Sequence, residues 1–144
     1  MERKRLNWLK SLIGQSTRNS PSPFAHWLDG TLLEVEIGQV AVEYAVREDM
    51  ANPMGMLHGG VISGILDDII GTAVASLDKE QHYVSINLAV DFINASRVGD
   101  LVTARAEIVR NGRTVVYAKA SLYNAKNVLL ATCTSNLVQV PTRS

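Results

Sequence analysis

Cysteine is nearly absent from this sequence. Cys133 is the only one among 144 residues, so no disulfide can form within the chain, and one thiol with three scattered histidines makes a poor metal site. An excess of one charge is absent too: fourteen Lys and Arg balance fourteen Asp and Glu. General nucleic-acid binding runs on phosphate neutralisation, and a chain without a basic excess has no footprint for it. Charged residues make up only 19% of the chain against 47% hydrophobic ones, which excludes disorder over most of the length and suits a globular domain with an ample core. A long uncharged apolar run is also missing. The longest, 61–75, carries Asp67 and Asp68 at its middle, where paired carboxylates would be very costly inside a bilayer. The basic start, Met1-Glu-Arg-Lys-Arg5, is not followed by an apolar stretch of signal-peptide length. The expectation is a soluble, cytoplasmic protein with no membrane span, no nucleic-acid partner and no metal.

Apolar periodicity then gives the elements. Residues 3–13 place Leu6, Leu9, Leu12 and Ile13 on one helical face, which suits a packing helix and, less well at this length, a membrane-surface helix. A Ser/Pro-rich loop over 14–23 follows, then a short helical turn over 24–28. The division expected is an N-terminal basic helix and loop over 1–23 and a main domain over 24–144. Alternating Leu33, Val35, Ile37 and then Val40, Val42, Tyr44, Val46 around Gly38-Gln39 predict a hairpin. From His58 to about Ser76 the chain is apolar nearly all round, which predicts a helix buried on most sides; Gly60, Gly64 and Gly71 along it permit close neighbours. Strands are predicted over 83–92, 101–110, 114–123 and 128–140, the last three as an antiparallel meander turning at Asn111-Gly112 and at 124–127. One helix buried on most sides needs a sheet that curls around it. The fold class is therefore α+β, an antiparallel sheet wrapped around one long central helix: the hotdog fold.

Chemistry concentrates in Asn52-Pro-Met-Gly55-Met-Leu-His58-Gly59-Gly60, then Asp67, with Ser85 on the strand that follows. These residues resemble the hotdog-fold thioesterases of the phenylacetic-acid-pathway type, which include the thioesterase superfamily member 2 enzymes. Their pattern is N-x-x-G-x-x-H-G-G and then an Asp about two turns into the helix; every position is filled, and the likeness spans about residues 24 to 140. The resemblance implies an acyl-CoA thioesterase, a homodimer or homotetramer with its active site at the subunit interface. Coenzyme A is then part of the substrate, and no separate cofactor is called for. It also implies that regions 94–97 and 110–114 line the coenzyme A path, which nominates Asn94, Ser96, Arg97, Arg110, Gly112, Arg113 and Thr114, with Gly60, as substrate-binding residues.

The first N–H groups of a helix have no intrahelical acceptor and favour negative charge, so Gly59 at the start of the predicted helix is the expected oxyanion donor. Asp67 is the expected general base or nucleophile; Asp68 is the competitor, and the family spacing selects Asp67. Eight residues of helix separate Gly59 from Asp67 by about 12 Å, whereas a base must come within about 3 Å of its target. One chain cannot bring both groups to one thioester, so the site calls for a second copy. Asn52 before Pro53 suits a turn or, within the motif, a residue positioning water or thioester. His58 suits either support of the loop or substrate contact, and Ser85 either orients Asp67 or the water or is a plain strand serine. Two rivals stand: an acyl-CoA-binding sensor without turnover, and a hotdog hydratase or dehydratase, which the H-G-G setting of His58 disfavours.

Overall fold

Small side chains pave the concave face of the sheet. Ala104, Ala106, Ala118, Ala120 and Ala131 are at most 4% exposed, and they let a helix with bulky Ile65, Leu66, Ile69 and Ile70 settle closely onto them. A computed structural model describes residues 3–141, and all that follows concerns those residues. The helix is α3 (Gly59–Ser76), the third of three after α1 (Lys4–Ser11) and α2 (Pro23–Leu28). The strands are β1 (Thr31–Glu36), β2 (Gln39–Ala45), β3 (His82–Ser85), β4 (Ala89–Phe92), β5 (Leu101–Asn111), β6 (Val115–Asn124) and β7 (Leu129–Val140). They form one antiparallel seven-stranded sheet in the order β1-β2-β5-β6-β7-β3, with β4 also paired to β7. The expected α+β hotdog architecture is what the chain adopts. α3 has the length and hydropathy to cross a membrane, but here the sheet wraps it.

Two strand expectations are corrected. The single strand expected over 83–92 is two strands: Ser85 pairs with Leu137 and Ala89 with Thr134, so four steps on one side face three on the other. The extra residue is held by Asn87, whose Oδ1 accepts the Asn136 N–H at 2.7 Å where a regular ladder would offer a backbone carbonyl. In β1 a bulge at Leu33 shifts the register, so Leu32 and Val35 point inward rather than the expected Leu33, Val35, Ile37 series. The inward series Val40, Val42, Tyr44, Val46 is buried as expected.

The N-terminal segment packs onto the sheet and α3. Leu6 and Leu9 of α1 belong to the core, the Leu6 N–H donates to Asp78 at 3.0 Å, and Arg5 donates to the Lys79 carbonyl at 3.2 Å. At the other end of α3, Gly64 leaves a notch that the Phe24 ring of α2 fills. A buried serine, Ser76, ties the end of α3 to the hairpin by accepting the Gly38 N–H at 2.8 Å.

Candidate active site

The start of α3 is built almost wholly from backbone. His58 is its N-cap, extended at φ −65° and ψ 137°, and its Nδ1 accepts the Gly60 N–H at 2.8 Å. With Nδ1 accepting, a neutral ring carries its proton on Nε2. Gly60, expected among the substrate-binding residues, therefore has its N–H occupied by the cap. The Gly59 N–H has no protein acceptor among the described residues and points out of the positive end of the helix dipole. The Phe92 ring lies over this glycine, so close that an added Cβ would stand 3.3 Å from it.

The loop before α3 is fastened on both sides. Asn52 Oδ1 accepts the Met54 and Met56 N–H groups at 2.9 and 3.1 Å, so the turn reading of Asn52 is realised; its Nδ2 alone is free to serve a substrate or water. Met56 bridges Arg97, and the Leu57 N–H donates to the Ser96 carbonyl at 2.8 Å. Region 94–97 thus lies beside the Gly59 loop. Ser96, expected to face substrate, is 2% exposed and donates its hydroxyl to Asp100 instead. The Arg97 N–H donates to the same carboxylate at 2.8 Å, and these two bonds, the backbone one first, hold Asp100 below the usual carboxylate pKa range. Asn94 likewise gives its side-chain N–H to the Leu129 carbonyl at 2.8 Å.

Two turns along α3 the setting changes from backbone to side chains. Asp67 and Asp68 both line a cavity of about 750 Å³ that runs along α3 toward α1. Asp67 is exposed at its side, where the Ser85 hydroxyl donates to Oδ1 at 3.4 Å. Ser135, a polar residue on the otherwise apolar inner face of β7, donates to the Asn87 carbonyl at 2.8 Å and touches Ser85 at 3.5 Å. Asp68 turns inward. Burial raises its pKa, the nearby Asp67 charge raises it further, and the Ser22 hydroxyl opposes both. Tyr44, at 2% exposure, is pushed well above the ordinary phenol range by burial and then by Asp68. Each carboxylate has a serine beside it, and exposure distinguishes them: Asp67 is exposed next to Ser85, while Asp68 is half-buried next to Ser22. Region 110–114 lies toward this side and the end of α3: Lys79 donates to the Gly112 carbonyl at 2.8 Å, and Tyr83 donates to the Arg113 carbonyl at 2.6 Å. Thr114 is exposed on the same turn, and Arg97, Arg110 and Arg113 take part in no ion pair among the described residues.

The expected residues thus fall into two groups on one protomer. Asn52, His58, Gly59 and region 94–97 cluster at the start of α3, while Asp67, Ser85 and region 110–114 lie further along it. Ser135 was missed by sequence reasoning, although a serine within Ala131, Cys133 and Leu137 is a polar exception on an apolar face. Cys133 is buried, and burial pushes its thiol up to about 11, so it stays protonated and inert. No group of three His, Cys, Asp or Glu side chains placed to hold a metal occurs among the described residues.

Comparison with known proteins points the same way. The family model described as Thioesterase superfamily matches residues 54–131. Over 94 residues the chain is 26% identical to acyl-coenzyme A thioesterase 13 of Homo sapiens, a match covering 65% of this chain and 67% of that protein. Its structure is similar to the PaaI protein from the phenylacetic acid degradation operon of E. coli, with TM-score 0.83, 17% identity and 96% of both chains covered. It is also similar to a hypothetical thioesterase protein of Streptococcus pneumoniae TIGR4 solved with coenzyme A, with TM-score 0.74, 24% identity, and 81% of this chain and 92% of that one covered. At these identities the structural likenesses carry the fold.

Proposed function

We propose that this chain, which belongs to the thioesterase superfamily, hydrolyses acyl-CoA thioesters to the free acid and coenzyme A. The observation that carries the reading is the pairing of an unoccupied Gly59 N–H at a helix N-terminus with a serine-held carboxylate, Asp67, two turns along that helix. The first can stabilise a developing oxyanion, and the second can activate water.

In this reading Asp67 takes a proton from water as the water oxygen bonds to the thioester carbon. The carbonyl oxygen becomes an oxyanion against the Gly59 N–H. The carbon–sulfur bond then breaks, the leaving thiolate takes the proton from Asp67, and acid and thiol depart. Ser85 orients Asp67, and His58 serves as cap of the oxyanion helix rather than as an acid or base, with its Nδ1 engaged by Gly60. The exposed guanidiniums of Arg97, Arg110 and Arg113 suit the phosphates of coenzyme A.

The separation of about 12 Å between Gly59 and Asp67 requires a partner copy, and the sheet offers it an edge. The outer sides of β3 and β4 pair with no strand among the described residues, and Val84, Ile86, Phe92 and Ile93 stand exposed there. Antiparallel pairing of this edge with its own copy sets β3 of one protomer against β4 of the other. Ser85, which holds Asp67, belongs to β3, and Phe92, which covers Gly59, belongs to β4. The same pairing therefore brings the base of one chain toward the oxyanion donor of its partner.

Thiol release from a panel of short, long and aryl acyl-CoAs tests the reading, with Asp67→Asn alongside. Turnover of at least one member, abolished by the substitution, is expected. Tight acyl-CoA binding without thiol release would instead identify a sensor.

A further inference from the structure

The region matched by the family model begins at residue 54, yet much of the cavity beside Asp67 is walled by residues before it. Trp8, Leu9 and Leu12 of the α1 segment face Val74 and Ala75 of α3 across it. α1 is pinned there by the Leu6 N–H on Asp78 and by Arg5 on the Lys79 carbonyl, so the wall is fixed to the end of α3. The floor has a gap. Of the two glycines one heptad apart on α3, Gly64 has its notch filled by the Phe24 ring, whereas nothing lies within 4 Å of a Cβ placed on Gly71. Gly71 lines the cavity one turn beyond Asp67 and leaves an open path from the carboxylate toward α1. The volume, about 750 Å³, falls in the range of small-molecule sites.

We infer that this cavity holds the acyl group, that α1 is its end wall, and that Trp8 and Leu12 set the acyl length the enzyme accepts. The inference rests on the thioesterase reading for the chemistry and on the cavity for the specificity. The path along the cavity from Asp67 to Ala75, past Asp68, Gly71, Thr72 and Val74, spans eight helical residues, about 12 Å. An extended hydrocarbon chain advances roughly 1.25 Å per carbon for bonds of about 1.5 Å, so an unbranched acyl chain of about ten carbons fills it. Longer chains meet Trp8 and Leu12. The catalytic groups thus lie within the region that the family model matches, and the length selection comes from residues before that region.

The test is a profile of kcat/KM for thiol release across saturated acyl-CoAs from acetyl to palmitoyl. It is run on the full chain and on Trp8→Ala/Leu12→Ala, Gly71→Leu and Gly71→Ala. Trp8 is exposed, Leu12 is only partly buried and Gly71 has open space above it, so all of these are expected to fold. Wild type should peak near decanoyl-CoA. Opening the wall should raise palmitoyl-CoA relative to decanoyl-CoA by about tenfold. Gly71→Leu stands about 6 Å from Asp67, and it should lower decanoyl-CoA by about tenfold while leaving acetyl-CoA within about twofold. Gly71→Ala, which adds only a Cβ to that gap, should lower decanoyl-CoA in the same direction but by only about twofold. An identical profile in all variants overturns the inference while leaving the thioesterase reading intact. Calorimetric binding of free fatty acids to the same proteins separates the converse case: a length limit that moves with the variants, in a chain that releases no thiol, upholds the cavity assignment and sinks the activity.

Discussion

The two halves of α3 that matter for chemistry are built in opposite ways. At its start, Gly59 is held by a loop in which nearly every polar group has a partner: Asn52 on two N–H groups, His58 on Gly60, and Asp100 on Ser96 and Arg97. Two turns on, Asp67 has one long contact, 3.4 Å from Ser85, and faces open space. A backbone donor must be preorganised, because its contribution depends on not moving when charge develops. A general base can stay loose until substrate and partner complete its surroundings, and catalytic hydrogen bonds in unliganded sites are often long for this reason. In the function proposed for the chain, the tight half serves the electrophile, the loose half the base, and each supplies half of a site.

The largest blow to the loose half is Asp67→Asn, which keeps the shape and removes the base. We expect kcat to fall by about a hundredfold or more with little change in KM, read by steady-state thiol release. Ser85→Ala removes only the orienting hydroxyl and should lower kcat by about tenfold, a smaller loss because it acts through Asp67. In the tight half, His58→Ala uncaps α3 and should cost about 1 kcal/mol of stability, measured by denaturant unfolding. His58→Asn, which can cap, should recover most of it. A role for His58 in direct proton transfer would instead leave the Asn variant as inactive as the Ala variant.

Asp68→Asn should have the smallest effect on rate, within about twofold if its exposed neighbour Asp67 is the working carboxylate. Its signature is in stability. Burial raises the Asp68 pKa, so the unfolded chain releases that proton at lower pH than the native one. Native stability therefore falls as pH rises from the ordinary carboxylate range through the raised value, and it stays lowered above it. The variant should melt higher than wild type near neutral pH, and the difference should close as pH drops below the ordinary carboxylate range.

Much of this was legible in the sequence because it is local. The helix start at Gly59, its free N–H and the burial of a helix apolar nearly all round follow from one contiguous stretch, and the curled sheet follows from having one such helix to cover. The break between β3 and β4 was not legible. Val84, Ile86, Leu88, Val90 and Phe92 alternate without interruption, and only the side chain of Asn87, acting as a substitute carbonyl for Asn136, reveals the extra residue. Ser96 was nominated because the resemblance puts region 94–97 on the coenzyme A path, yet its side chain is buried and its hydroxyl is spent on Asp100. The contribution of α1 to the Asp67 cavity depends on contacts over some seventy residues, such as Leu6 on Asp78, which no local pattern encodes.

The claim that the two halves meet across a subunit interface has a direct test. Asp67→Asn and Gly59→Val, each inactive alone, are mixed as unfolded chains, refolded together and assayed for thiol release. In a hybrid dimer one site combines the intact Gly59 of one chain with the intact Asp67 of the other, while the second site carries both lesions. Random pairing then predicts recovery of about a quarter of wild-type activity. A mixture that stays as inactive as its two parents would contradict the shared site and return both groups to a single chain.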